Sequence, residues 1–341
     1  MPPNPQVDAM VTAITEALTT TERSSTDVRN ISRLLEATRA LIVGDGSSLD
    51  VKIAAIALAE MTRAFDMFAP YRHVRKVTIF GSARTTADNP IYGATAAAAR
   101  ALADSGYMVV TGAGPGIMEA GMIGAGREKS IGVSIRLPFE TGANSVIAGD
   151  DKYVSMRYFF TRKLMLVKES HGFLCLPGGF GTLDETFELL TLAQTAKSVP
   201  VPIVFLEVPG DPFWSPLMEA MEPLLLRHGL ISPSDTSLYL ITDDVNRAVD
   251  EITGFYRNYH SIRFVGDLMY IRMQRPLPAE VLAGLAAEFG HLSRDGIIAA
   301  AETSEAELRD DDNVRLARIA LAYSAKGFAD LRPLIDLINR H

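Results

Sequence analysis

From residue 76 onward, short runs of β-branched and aliphatic residues alternate with longer stretches whose apolar positions recur at helical spacing. The runs are "KVTIF", "YMVVT", "SIGVSI", "GFLCL", "VPIVFLEV" and "LYLIT". Between them stand "IYGATAAAARALADS", "GIMEAGMIGAGREK", "YFFTRKLMLVKES" and "LDETFELLTLAQT". Strands that are apolar almost throughout, each followed by a helix, predict a parallel sheet covered on both faces. The expectation is a doubly wound α/β domain over 73–259. In such a sheet ligands bind beyond the carboxyl ends of the strands, where the strand order reverses.

The flanking regions follow other patterns. Residues 1–72 hold three stretches with apolar positions at helical spacing, "VDAMVTAITEAL", "DVRNISRLLEATRALI" and "LDVKIAAIALAEMTRAFDMF", and no strand pattern. A helical segment for packing or dimerisation is expected. Residues 260–341 read as strand ("IRFVGDLMYIRM"), helix ("AEVLAGLAAEFGHLS"), strand ("GIIAAAET"), a charged turn, strand ("VRLARIALAYS") and helix ("FADLRPLIDLIN"). This βαββα order predicts a small α+β appendage with an antiparallel sheet.

Three predicted strands end in glycine-rich, donor-rich turns. They are "FGSAR" with Gly81, Ser82 and Arg84, "TGAGPGIMEAG" with Gly114, and "LPGGFGT" with Gly178, Gly179, Phe180, Gly181 and Thr182. In a parallel sheet all three lie at one edge. The helix expected to open at Gly181 or Thr182 presents unpaired N–H groups and the positive end of its dipole, a ready site for a phosphate. Glu185 follows within one helical turn. No lysine follows the glycines as in a Walker A loop, and the second cluster fails G-x-G-x-x-G, because the sixth position is Ile117 or Glu119. NAD binding is therefore disfavoured, and the coincidence of the three turns leads to the expectation of a nucleotide-sized site.

Composition narrows the partners. With 33 basic and 41 acidic residues the 341-residue chain carries a net charge of −8, against a nucleic acid or an anionic membrane. Hydrophobic residues make up 48%, enough for a sizeable core, yet no apolar run approaches a membrane span. The N-terminus shows no signal-peptide pattern, so a cytoplasmic protein is expected. The lone cysteine, Cys175, lies within an apolar strand and is expected to be buried. The six histidines show no ligand spacing, and neither a metal nor an organic cofactor is expected.

Arg162–Lys163, then "PGGFGTLDE" (Pro177 through Glu185), together with "GSAR", "GAGPGIMEA" and "LPFETGAN", resembles the LONELY GUY (LOG) family over roughly residues 76–245. The two long flanks resemble its larger bacterial members. The resemblance implies a Rossmann-like fold, a homodimer or higher homo-oligomer, and hydrolysis of the N-glycosidic bond of nucleoside 5′-monophosphates to free base and ribose 5-phosphate. Members act on cytokinin ribotides, AMP, or purine and pyrimidine monophosphates generally. It places the essential arginine and glutamate on Arg162 and Glu185. Substrate contacts fall on Lys163, the 179–182 loop and Thr191, with Glu119 and Asn144 as further positions. A non-catalytic nucleotide sensor on the same fold is the alternative. Lysine decarboxylase, an inherited label of the family, is weaker still, because it requires a pyridoxal phosphate lysine and its supporting site.

Overall fold

The structure is a computed structural model that describes residues 5–19, 25–136 and 142–341. Two compact units are present, Met1–Arg63 and Ala64–His341. The first contains helices α1 (Pro5–Thr19), α2 (Ser25–Val43) and most of α3 (Ser48–Phe68), as the apolar spacing predicts. α3 opens with a reciprocal cap: the Ser47 hydroxyl accepts from the Asp50 amide (3.2 Å) and the Asp50 carboxylate from the Ser47 amide (2.8 Å).

The second unit carries the doubly wound sheet. Its elements are β1 (Lys76–Phe80), α4 (Pro90–Asp104), β2 (Met108–Thr111), α5 (Ile117–Ala125), β3 (Ser130–Ile135), β4 (Tyr153–Met156), α6 (Phe159–Lys168), β5 (Phe173–Cys175), α7 (Phe180–Gln194), β6 (Ile203–Leu206), α8 (Trp214–Arg227), β7 (Leu240–Thr242) and α9 (Val245–Gly254). All seven strands are parallel, in the order β4-β3-β2-β1-β5-β6-β7. β1 shows why such a strand is mostly apolar. Val77 and Ile79 join Ala98, Leu102 and Ile252 on one face, while the Thr78 hydroxyl on the other donates to the Leu166 carbonyl of α6 (3.0 Å). Both faces are thus covered and every β1 residue is buried. Cys175 is fully buried in β5, and burial pushes its thiol up to about 12.

The sequence pattern missed β4. Its last residues, Ser155 and Met156, read as the start of a helix, whereas α6 begins at Phe159. β4 is a four-residue edge strand with alternating burial, too short to stand out beside the helical pattern after it.

The C-terminal part forms a four-stranded antiparallel sheet, ordered β10-β11-β9-β8. It comprises β8 (Tyr259–Val265), β9 (Leu268–Met273), α10 (Ala279–Phe289), β10 (Ala299–Ala300), α11 (Glu305–Arg309), β11 (Ala317–Leu321) and α12 (Leu331–Asn339). Here too the pattern needs correcting. "IRFVGDLMYIRM" is not one strand but most of a hairpin that turns at Gly266, whose φ of +58° suits glycine. The charged segment read as a turn includes the short helix α11, opened by a Ser304–Glu307 capping box. The Asn339 side chain ties α12 to the α9–β8 junction, donating to the Phe255 carbonyl at the end of α9 (2.6 Å) and accepting from the Asn258 and Tyr259 amides (2.9 Å each). Among the described residues no helix is long and apolar enough to cross a membrane.

Candidate active site

The chain runs outward from β1 through β2 and β3 to β4, then returns to lay β5 on the other side of β1. The reversal therefore falls between β1 and β5, the position at which open α/β sheets bind ligands. A cleft of about 1270 Å³ opens there, lined by Gly81 to Arg84 after β1 and by Pro177 to Glu185 after β5.

Ser82 ties the three glycine turns together. Its amide donates to the Pro177 carbonyl (3.2 Å), and its own carbonyl accepts from the Ile117 amide that opens α5 (3.0 Å). Gly178 is needed for this closeness. A Cβ there would stand 2.2 Å from the Thr182 hydroxyl oxygen and 3.0 Å from the Ser82 nitrogen. α7 begins at Phe180 with Gly179 as N-cap, earlier than the sequence suggested, so Thr182 lies inside the first turn. The amides of Thr182 and Leu183 both donate to the Gly179 carbonyl (3.0 Å each). Those of Phe180 and Gly181 are the helix's leading donors, and both residues line the cleft.

Arg162 and Glu185 meet at the cleft wall. Arg162, in the first turns of α6, donates through Nε to the Val133 carbonyl (3.1 Å) and through Nη1 to Glu185 Oε1 (3.4 Å). Its guanidinium packs on the backbone at Gly112, where a Cβ would meet Nη2 at 2.4 Å and the Met118 sulfur at 2.7 Å. Glu185 is buried, and burial raises its carboxyl above the usual carboxylate range even though Arg162 and Lys163 pull it down.

Lys163 is turned toward carboxylates: Asp184 at 2.8 Å, Glu188 at 2.7 Å and Glu185 at 3.5 Å. Burial lowers its pKa, but hydrogen bonds to Asp184 and Glu188 and the charge of Glu185 outweigh this and raise it. Lys163 therefore stays protonated. With Gly114, Glu119, Asn144 and Thr191, it lies outside the residues that line the cleft. Asn144 supports the second glycine turn, donating to the Gly114 carbonyl (3.0 Å) and, from its amide, to the Ala113 carbonyl (2.8 Å). Glu119 acts on the Tyr92 hydroxyl. Thr191 is exposed, its hydroxyl bonded to the Phe187 carbonyl within α7 (2.8 Å). Of the segment "LPFETGAN", residues 137–141 lie outside the described residues.

Gly81, Ser82, Arg84, Arg162, Glu185 and the 178–182 loop do line the cleft. Sequence reasoning passed over Gly112, Asn89, Phe159, Asp211 and Phe213, which line it too. Phe213 is held by Glu207, whose carboxylate accepts from the amides of Phe213 (2.9 Å), Trp214 (2.8 Å) and Ser215 (3.2 Å). An acidic residue inside an apolar strand and just ahead of "GDPFWS" was the available signal. Burial works to raise the Glu207 carboxyl, but these donors win and hold it low.

A family model described as "Possible lysine decarboxylase", which covers the LOG proteins, matches residues 113–252. Over residues 113–252 the chain is similar to that family, and the match includes Arg162, Lys163 and the whole 177–185 junction, on the α6 and α7 sides of the cleft. Among curated relatives, a probable cytokinin riboside 5′-monophosphate phosphoribohydrolase of Oryza sativa subsp. japonica is 30% identical over 29% of this chain and 44% of its own length. A cytokinin riboside 5′-monophosphate phosphoribohydrolase of Arabidopsis thaliana is 27% identical over 30% of this chain and 46% of its own. The matches thus span less than half the length of these relatives. Among solved structures, a molybdenum cofactor carrier protein of Chlamydomonas reinhardtii is similar at 20% identity with a TM-score of 0.36, covering 52% of this chain and 94% of that one.

Proposed function

We propose that this protein hydrolyses the N-glycosidic bond of nucleoside 5′-monophosphates, releasing the base and ribose 5-phosphate. The observation that carries this reading is the buried Glu185 carboxyl, joined to Arg162 at the wall of a cleft floored by the leading amides of α7. Those amides and the positive end of the helix favour a 5′-phosphate. Arg84, exposed at the same cleft, adds a cation. Glu185 then lies about one turn along the helix, within reach of the ribose.

Departure of the base leaves an oxocarbenium-like ribosyl centre. The Glu185 carboxylate stabilises that charge and takes the proton of the attacking water. Arg162 orients the carboxylate; being charged at all working pH values, it is a poor proton donor to the base. Phe159, Phe180 and Phe213 line the cleft and offer apolar surface to the departing base. Lys163 supports the site by holding Glu185, Asp184 and Glu188 together. In this reading residues 73–259 are the catalytic domain, 1–72 a helical segment and 260–341 an appendage. The site is proposed to work in a cytoplasmic homo-oligomer.

A decarboxylase reading fits poorly. A Schiff-base lysine must lose its proton, whereas Lys163 is held protonated by three carboxylates. The test is base release from a panel of purine, pyrimidine and cytokinin monophosphates, with the matching nucleosides as controls. Release from monophosphates supports the hydrolase; tight nucleotide binding without release would favour a sensor.

A further inference from the structure

At the opposite, amino-terminal edge of the parallel sheet lies a second cavity of about 740 Å³. Its walls are the segments that lead into β1, β2, β5 and β6, together with the α9–β8 junction. Arg72, Arg75 and Lys168 line it with His73, His171 and His260, and no carboxylate does. In a chain of net charge −8 such a lining is a local reversal of sign.

We propose that this cavity binds a small, multiply charged phosphate compound. Three observations point to such a ligand. Tyr107 also lines the cavity and is only 4% exposed; Arg75 lies beside its hydroxyl as a donor, while the hydroxyl's own proton meets no acceptor, an orphan donor of the kind a bound oxyanion satisfies. Arg75 is held in place from one side, its guanidinium 4.4 Å from the centroid of the Tyr256 ring, a contact that leaves the N–H edge available. The His171 ring is held at the cavity wall by the Lys76 amide, which donates to Nδ1 (3.3 Å), and by a bond to the Glu169 backbone, so it stands still where a bound anion is felt.

The surroundings deepen the positive field. The Lys76 ammonium is buried behind the cavity, held by the Tyr71 carbonyl (2.7 Å) and the Val74 carbonyl (3.0 Å). Nearby acids are otherwise engaged. Glu169 pairs with Lys168 (2.5 Å), and Asp312 pairs with Arg272 (2.7 Å) and with Arg263. Burial, then the charges of Lys76 and Arg75, lowers His171 to about 4, and burial with Arg75 and Arg272 lowers His260. The volume exceeds that of a lone phosphate and falls in the usual range for small-molecule sites, roughly 300–1000 Å³. Tyr256 and Tyr259 are buried in the appendage core, so recognition rests on charge rather than stacking.

The test uses the full chain, with inorganic pyrophosphate as the probe and imidazole NMR as the readout. His171 and His260 signals are assigned with His171→Gln and His260→Gln. Both signals are expected to shift saturably, while those of His228 and His291 stay in place. Arg75→Gln and Arg72→Gln are each expected to weaken the effect about tenfold or more; Arg72 is exposed, so its variant should leave packing intact. The absence of a saturable shift at both histidines would overturn the proposal. So would shifts that persist in both variants, or shifts abolished by Arg84→Ala in the cleft.

Discussion

Arg162 packs directly against the backbone at Gly112: a methyl group at that position would stand 2.4 Å from Nη2. The β2 turn, Val133 of β3 and Glu185 of α7 therefore fix one guanidinium from three sides. Gly112→Ala should displace Arg162 while leaving the sheet formed. The expected result is a loss of about 1–3 kcal/mol in denaturant-measured stability and a marked fall in kcat. An unchanged kcat would mean that the position of Arg162 does not matter.

Glu185→Gln removes the ionisable carboxyl but keeps its shape. If Glu185 is the acid–base group, kcat should fall about 100-fold or more, with circular dichroism unchanged. Activity within a few-fold of wild type would assign the chemistry to another residue.

The raised pKa of Glu185 has a consequence for stability. The folded state holds this proton more tightly than the unfolded state, whose glutamate titrates near the model value of 4.5. Below 4.5 the group costs nothing. As pH rises through the folded pKa, ionising a buried carboxyl costs stability, and the cost is complete above it. Relative to wild type, Glu185→Gln should therefore gain melting temperature as pH rises from 4.5 through the folded pKa of Glu185. A difference independent of pH would show that Glu185 is not perturbed in the folded state.

In the appendage the sign is opposite. Glu307 is fully buried, bonded to Arg272 and Arg318 (2.8 Å each). Burial opposes its ionisation, but the Ser304 donors and Arg272 win and hold it at about 2. Its stabilising effect is present above 4.5 and is lost as pH falls toward 2. Glu307→Gln takes the carboxylate from buried Arg318 and leaves Arg272 paired with Asp312 alone, and should cost about 3 kcal/mol at neutral pH. Urea titrations at pH 7 and pH 3 check this: the difference between wild type and variant should shrink at the lower pH.

Lys163→Met separates support from chemistry. It leaves Asp184, Glu185 and Glu188 without their shared cation. The acid limb of the pH–rate profile should then move to higher pH while activity persists. Complete inactivity at every pH, with the fold intact, would place Lys163 in the reaction itself.

The alternation of apolar strands with helices was legible because strands covered on both faces are buried at every position, as in β1, where Lys76 and Thr78 are the polar exceptions and both are hydrogen-bonded. The convergence of three glycine turns followed from parallel topology, and Ser82 supplies the physical tie. What the sequence hid was set by tertiary partners. Gly112 and Gly114 look equally permissive in "TGAGPG", and both lie against Met118, but only Gly112 also meets Arg162 reaching in from α6. Lys163 next to Arg162 suggested two cations flanking a phosphate or Glu185; both reach Glu185 (3.4 and 3.5 Å), and Lys163 turns further, to Asp184 and Glu188. β4 was lost because its pattern runs into that of α6, and the β8–β9 turn because two apolar strands flank a single Gly-Asp pair.

The central claim is that a 5′-phosphate held by the α7 amides places the ribose at Glu185. It is tested most directly by comparing base release from AMP and from adenosine, in wild type and Glu185→Gln. The account predicts release from AMP, with ribose 5-phosphate formed in equal amount, none from adenosine, and loss of the AMP reaction in the variant. Equal rates on AMP and adenosine, or full activity in Glu185→Gln, would contradict it.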